Sequence, residues 1–529
     1  MGFYQSCFSL IALSSTAFGS ALKSRCSTDF LSIKGVTIDS IEHHPNGYTI
    51  SLPDTVPSCG GYRFDVNTTA DLCRVVMTVP TTETSSIRVE AWLPDDWNGR
   101  SLATGNGGTG GCIGYDSMQN GAQLGFAAFG TNAGHDGQAG YDFFLNQPES
   151  INDWGSRAIH FEAQAGKNVT SKYYGTRSFK SYYAGCSTGG RQGIQTAQIW
   201  PDDFDGILVG APGLNWLRIV ASKAILAKRI GWPNFDSPAY VRPEQWTAIV
   251  AKQIELLDSL DGVKNGIIDD PTDFSFDPQL LACGTGALND SVCLGPEQVL
   301  SVKKAYEPLY DSKGRNVYPG FDLGANTGVF SNNQVNGSNL GYRLVDDFWI
   351  GAVYNDTSFR SQDFEVADMD FAVELNPGGI AFNDPDLSGF YKRGGKVLAY
   401  HGSSDVTVTS ALSLDYFGRV RAALNLNVEE MLSFYRLFLV PGMGHCSGGV
   451  GAWDIGQTYP LDKNRQDAKN NVLMALVDWV ENSTAPDEIV GTKYRGDNVA
   501  NAITAQRSKS SFCSRHWPIL ALQYSSTSC

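Results

Sequence analysis

The chain has no run of basic residues: Lys and Arg number 40 against 55 Asp and Glu, a formal charge of −15 with a pI near 4.9. Neutralising a phosphate backbone takes clustered Lys and Arg, so the charge balance argues against nucleic acid as a partner. No stretch beyond the N-terminus approaches the roughly 18 uninterrupted apolar residues of a membrane span, so no membrane partner is expected. No two cysteines show the C-x-x-C spacing of a zinc site. No Gly-Lys-Ser/Thr follows the glycine-rich stretch at Gly105, which removes the main support for a phosphate-binding loop. No appended repeat or linker-joined module is visible either, which disfavours a separate polysaccharide-binding unit.

What is present is a chain of 529 residues with 42% hydrophobic content, long enough for one large domain with a sizeable insertion or for two domains. Residues Phe8 to Leu13, followed by the small residues Ala17, Gly19 and Ala21, read as a secretory signal peptide over 1–21, although no Lys or Arg precedes the apolar run. With Cys7 removed, Cys26, Cys59, Cys73, Cys112, Cys186, Cys283, Cys293, Cys446, Cys513 and Cys529 form an even set suited to an oxidising compartment. N-x-S/T sequons at Asn67, Asn168, Asn289, Asn336, Asn355 and Asn482 fit a glycoprotein. The expected product is secreted and extracellular.

The chain is organised around Gly185-Cys186-Ser187-Thr188-Gly189-Gly190. An apolar and aromatic run, Phe179 to Ala184, leads in, and Arg191-Gln192-Gly193-Ile194 leads out as a helix start. A strand, tight turn and helix around G-x-S-x-G is a nucleophile elbow, in which the serine hydroxyl is exposed and the next N–H faces a developing oxyanion. The pattern alone is weak in a chain with 57 glycines, so the surroundings must carry it. Upstream, Gly105-Asn106-Gly107-Gly108-Thr109-Gly110-Gly111-Cys112 permits backbone N–H groups to share one concavity. The expected oxyanion donors are therefore Thr188 and the Gly107 to Gly108 region.

Arg74 to Val79 and Ile87 to Leu93 read as strands, Gly125 to Gly130 as a buried strand, and Trp154 to Tyr174 as a helix. This alternation predicts an α/β fold with a mostly parallel sheet. From about 216 to 385 the text changes to a helical stretch, Ile219 to Ile230, and then long Asp-, Asn-, Gly- and Pro-rich segments carrying Trp216, Trp232, Trp246, Phe348 and Trp349. That insertion reads as a lid whose aromatics would otherwise be exposed. The sheet resumes with Val397 to Tyr400 and Phe434 to Val440, and Asn471 to Asn482 closes as an amphipathic helix. The expected organisation is a signal peptide over 1–21, a catalytic part in two pieces over 22–215 and 386–529, and a lid over 216–385.

Ser187, Asp405 and His445 all follow strands, in the chain order Ser, Asp, His of α/β-hydrolases. A serine hydroxyl becomes a useful nucleophile when an imidazole takes its proton, and that imidazole needs a carboxylate to fix its tautomer. His135 and His160 precede the serine and break this order, and His401 is too close to Asp405 in the chain. Cys186 precedes Ser187 and Cys446 follows His445. If those two were bridged, the Ser187 and His445 Cα atoms could not lie more than about 13 Å apart.

Within the lid, Asp258 to Asp269 has the oxygen-ligand rhythm of a calcium loop. Counted from Asp261, Asn265 falls at the fifth position, Gly266 at the sharp turn, the Ile267 carbonyl at the seventh and Asp269 at the ninth, but Thr272 stands where a bidentate glutamate belongs. Asp258 is an upstream substitute, and Val263 offers only its carbonyl. A structural cation is the expected role.

Together, Gly185 to Gly193, the isolated Asp405 and Gly442-Met443-Gly444-His445-Cys446 resemble the Cys-Ser, Asp, His-Cys pattern of the fungal tannase and feruloyl esterase family. The resemblance extends to Gly105 to Cys112, Gly130 to Asp136 and the Asp258 to Asp269 loop. It implies an α/β-hydrolase fold with a large inserted lid, a Ser187, Asp405 and His445 triad and a Cys186–Cys446 disulfide. For calcium it implies Asp258, Asp261, Val263, Asn265 and Ile267, with Asn265 standing where Asp is more usual. The implied activity is that of a secreted serine esterase on phenolic esters, either hydroxycinnamoyl esters of plant cell-wall polysaccharide or small hydroxycinnamate esters. Galloyl esters, the tannase reaction, are the alternative, and an inactive hydrolase-fold binding protein is the contrasting class.

Overall fold

The computed structural model describes residues 22–59, 64–260, 264–269, 271, 275–325, 340–457, 466–494 and 506–511. The leader over 1–21, the sequon Asn336, and Cys513 and Cys529 therefore lie outside the described residues. Strands β1 (Thr37–His44), β2 (Leu72–Pro80), β3 (Ser86–Pro94), β4 (Arg100–Thr104), β5 (Ala127–Thr131), β6 (Lys180–Cys186), β7 (Gly206–Gly210), β8 (Lys396–Gly402) and β9 (Tyr435–Val440) form a nine-stranded sheet in the order β1-β2-β3-β5-β4-β6-β7-β8-β9.

The first four strands in that order pair antiparallel, and everything from β5 to β9 is parallel. The mostly parallel expectation thus holds for the catalytic half. The N-terminal part is antiparallel because β2 and β3 join through a short connection, which a parallel pair could not use. The buried runs explain the parallel half: β5 and β7 have both faces covered and read as continuous apolar stretches rather than alternating ones.

Helices cover both faces. They include α1 (Tyr115–Gln123), α2 (Ala158–Tyr174), α3 (Thr188–Ile199), α4 (Trp216–Arg229), α5 (Ser410–Ala423) and α6 (Val472–Asn482). The helix expected over 154–174 begins instead with a wider, π-type turn over Asp153–Arg157. There the Arg191 guanidinium draws out the Gly155 carbonyl at 2.6 Å. A Cβ on Gly155 would also lie 2.2 Å from the Gly378 carbonyl oxygen, so only glycine permits that approach.

The insertion does not stand apart from the sheet. Trp216 meets Trp154 at 5.4 Å and Phe348 at 4.9 Å between ring centroids, and Phe348 reaches Phe144 at 5.4 Å. The aromatics expected to form a lid core are buried, but two of them, Trp216 and Phe348, are the joint between insertion and sheet. Trp246 and Trp349 are fully buried in the same continuous apolar cluster. Among the described residues no helix is long and apolar enough to cross a membrane.

Candidate active site

Register brings the functional loops to one edge. Thr104 pairs with Ala184, Cys186 with Gly210, Gly210 neighbours Tyr400, and Gly402 pairs with Val440. The segments leaving these residues carry the glycine-rich loop, Ser187, Asp405 and His445, all at the carboxyl ends of parallel strands.

Ser187 stands between β6 and α3 with φ 63° and ψ −121°, a positive-φ conformation that L-residues rarely take. The turn is held from outside: the Ser187 N–H donates to the Gly210 carbonyl at 2.9 Å, and the Ser187 carbonyl accepts from Gly213 at 2.9 Å and Arg191 at 3.1 Å. A Cβ on Gly189 would sit 2.9 Å from the Asn106 carbonyl oxygen, so glycine there lets the upstream loop lie against the start of α3.

His445 Nδ1 and Asp405 Oδ2 are 2.7 Å apart. Asp405 is fully buried, and its Oδ1 accepts the N–H groups of Thr407 at 2.7 Å and Val408 at 2.9 Å. Burial pushes the Asp405 carboxyl up, but His445 and then His401, with their hydrogen bonds, outweigh it and hold the group well below the usual carboxylate range. The carboxylate therefore stays ionised beside the imidazole. Among the described residues no hydrogen bond joins Ser187 Oγ to His445, but both line one cavity of about 310 Å³ together with Gly105 to Gly108, Asp116, Ser117, Gln138, Tyr400 and Gln457. In unliganded hydrolases that contact is often loose and tightens with substrate.

Cys186 and Cys446 are disulfide-bonded with Cα atoms 5.9 Å apart. The other bonds among the described residues are Cys26–Cys73, Cys59–Cys112 and Cys283–Cys293.

The upstream loop is held by its carbonyls. The Gly107 oxygen accepts from Gly110 N–H at 2.8 Å and Gln138 Nε2 at 3.0 Å, and the Gly108 oxygen accepts the Thr188 hydroxyl at 2.7 Å. Among the described residues the N–H groups of Thr188, Gly107 and Gly108 have no protein acceptor. Gln138 and Thr188 were invisible as loop anchors in the sequence, because neither contact follows from spacing.

The competing histidines have other partners. His135 is stacked on Phe143 at 4.2 Å and bonds the Thr109 carbonyl oxygen at 2.8 Å; burial pushes its imidazole down to about 4. His160 pairs with Asp203 at 2.7 Å and stacks on Trp200, away from the cavity. His401 is enclosed by Ser413 Oγ and the Val408 carbonyl oxygen, each at 2.7 Å, and lies 3.4 Å from Asp405 Oδ2.

For the cation, Asp258 Oδ1 accepts three backbone N–H groups, from Asn265 at 3.0 Å, Gly266 at 2.8 Å and Ile267 at 3.2 Å. Asn265 Oδ1 takes the Ile267 N–H at 3.0 Å. The loop is thereby folded around the Asp258 carboxylate, and the donors are all oxygens, as a hard cation requires. Asp261 and Val263 lie outside the described residues, and among the described residues no group of three His, Cys, Asp or Glu could hold a metal. A larger cavity, about 560 Å³, lies between insertion residues such as Phe276, Tyr306 and Phe321 and the start of α5, but none of Ser187, Asp405 and His445 lines it.

With this geometry in hand, the chain matches the family model described as tannase and feruloyl esterase over residues 73–528. It is 38% identical over 498 residues to a probable feruloyl esterase B-1 of Neosartorya fischeri, covering 92% of each chain. The fold is similar to the crystal structure of an esterase from Aspergillus oryzae, with TM-score 0.86 and 35% identity over 93% of this chain and 95% of that one. It is similar to the crystal structure of feruloyl esterase B from the same organism, with TM-score 0.84 and 36% identity at the same coverage.

Proposed function

The chain belongs to the tannase and feruloyl esterase family, and from that premise we infer that it is a feruloyl esterase, a carboxylic ester hydrolase acting on phenolic esters. The fold is that of an α/β-hydrolase. Ser187 Oγ attacks the ester carbonyl while His445 Nε2 takes its proton, and Asp405 keeps the opposite ring nitrogen protonated and the ring in place. The negative charge on the tetrahedral carbon's oxygen falls to the N–H groups of Thr188 and of Gly107 or Gly108. His445 returns the proton to the departing alcohol oxygen, leaving a feruloyl ester on Ser187. Water, deprotonated by His445, then cleaves that ester and frees the acid.

The observation that carries this residue assignment is the placement of a strained Ser187 and an Asp405-bonded His445 on one cavity, at the two ends of one disulfide. The natural substrate in this reading is a hydroxycinnamoyl ester of plant cell-wall polysaccharide or a small hydroxycinnamate ester, met outside the cell. Secretion is supported by the leader-like first residues and the disulfides. A structural calcium ion held by Asp258, Asp261, Val263, Asn265 and Ile267 is part of the same reading, supported by the loop folded on Asp258.

A panel of methyl ferulate, caffeate, p-coumarate, sinapate and gallate tests the substrate. Ferulate or a related hydroxycinnamate is expected to give the highest kcat/KM, and preference for gallate would overturn the substrate assignment. Ser187→Ala is expected to lower kcat by at least about 10⁴-fold without unfolding the protein; wild-type turnover in that variant would remove Ser187 from the mechanism.

A further inference from the structure

The glycine-rich loop touches α3 at two side chains one helical turn apart. Thr188, at the first position, holds the Gly108 carbonyl. Gln192, four residues on, meets Asn106 twice: its Oε1 accepts the Asn106 N–H at 3.0 Å, and its Nε2 donates to Asn106 Oδ1 at 3.1 Å. Residues four apart lie on one helix face, so both contacts point at the same loop. The Asn106 side chain is held against reorientation, because both Nδ2 hydrogens are used, in donating to the carbonyls of Thr131 at 2.8 Å and Cys112 at 3.2 Å. Gln192 and Asn106 are both buried, at 4% and 5% exposure, so water cannot replace a lost bond cheaply. Asn106 immediately precedes Gly107, whose N–H, or that of Gly108, is the upstream oxyanion donor.

We propose that Gln192 is a positioning residue that sets the register of the oxyanion loop on the nucleophile helix, through its two hydrogen bonds to Asn106. Ser187 and Thr188 belong to α3 and its lead-in, whereas the Gly107 and Gly108 donors belong to a loop that begins on a different strand. An oxyanion hole needs both donor sets within about 3 Å of one oxygen. Ser187-side geometry is fixed by the elbow; Gln192 fixes the loop relative to it. The role is expressed in the transition state, where charge develops on that oxygen, and little in substrate binding.

This inference rests on the esterase reading, and one set of measurements separates the two. Wild-type enzyme that fails to hydrolyse methyl ferulate and the other esters would refute the reading itself. Given wild-type turnover, Gln192→Met, of similar length but without either bond, is expected to lower kcat about 10- to 100-fold with KM within about twofold. Affinity for a phenylboronate, which forms a tetrahedral adduct on serine, should fall with kcat, while affinity for ferulate should not.

Gln192→Glu supplies the reading that a purely structural role would not move. Its carboxylate keeps the acceptor for the Asn106 N–H but sets an anionic oxygen against Asn106 Oδ1; once protonated, its O–H donates there as the amide does. The ratio of kcat in Gln192→Glu to kcat in wild type, taken at each pH, is therefore expected to rise as pH falls through the titration of the buried glutamic acid. Both kcat values are taken per folded molecule, with folding followed by near-ultraviolet circular dichroism, so a pH-dependent loss of folded enzyme does not enter the ratio. A ratio that stays flat across the pH range in which infrared spectroscopy shows the introduced carboxyl ionising, or a kcat within twofold of wild type in Gln192→Met, would overturn the proposal.

Discussion

Cys186 and Cys446 are joined across 260 residues of sequence, and their immediate neighbours Ser187 and His445 face one cavity. Both Ser187 and Cys446 sit at positive φ, 63° and 65°, so the bond links two turns that the backbone alone would not favour. Closing so long a loop stabilises the folded state by about 5 kcal/mol on the chain-entropy model. Replacing both cysteines with alanine is expected to lower Tm and to lower kcat by more than the remaining folded fraction explains. The check is turnover per folded molecule, with folding followed by near-ultraviolet circular dichroism; unchanged turnover per folded molecule would show that the disulfide serves stability alone.

His445 and His160 each pair with an aspartate, at 2.7 Å in both cases, but only His445 lines the cavity with Ser187, and their roles are separable. His445→Ala is expected to abolish methyl ferulate turnover, by about 10³-fold or more. His160→Ala breaks the Asp203 contact and the stacking on Trp200, and is expected to lower Tm with kcat nearly unchanged. Loss of kcat in the His160 variant at constant fold would move the base.

Local patterns made much of the site readable before the fold was known. The Ser187 elbow, the Ser, Asp, His order and the pairing of a cysteine with each of Ser187 and His445 are all short-range features, and strands β2, β3, β6, β8 and β9 follow from apolar runs. What was not readable depends on contacts between distant segments. The Cys26–Cys73, Cys59–Cys112 and Cys283–Cys293 partners could not be chosen from spacing, because an even set of cysteines allows many pairings. The Gln192 and Asn106 contact spans 86 residues, and neither amide is distinctive in sequence. The burial of Lys223 on α4 against the Tyr318 ring, 3.7 Å from its centroid, likewise has no sequence signal, since lysine is normally exposed.

Adding and chelating Ca²⁺ tests the proposed cation role of the Asp258 loop. Ca²⁺ added to chelator-treated protein is expected to raise Tm and to slow amide exchange at Asn265, Gly266 and Ile267, whose N–H groups the Asp258 carboxylate holds. Asp258→Ala should abolish both effects. Elemental analysis that finds no calcium in the purified protein, with no Tm response to the added ion, would leave the loop without a metal role.

Asp322 reaches from the insertion to the start of α5, where it accepts the Thr409 hydroxyl and the Ser410 N–H, each at 2.7 Å. Its burial, the largest influence, raises its carboxyl to about 6 against the lowering by the Ser410 N–H, Thr409 and His401. The same group in the unfolded chain titrates near 4. Between those values the folded protein keeps a proton that the unfolded chain has released, so this group's contribution to stability falls as pH rises from about 4 to about 6, by about 3 kcal/mol in all. Asparagine can still offer an oxygen to Ser410 and an N–H to Thr409 without taking a charge, and His401 and Lys223 remain in both proteins. The Tm of Asp322→Asn minus that of wild type, measured by calorimetry in steps of pH, is therefore expected to become more positive from pH 4 to 6 and then level off. A difference that is constant across this range would mean that the carboxyl titrates in the folded protein as it does in the unfolded one.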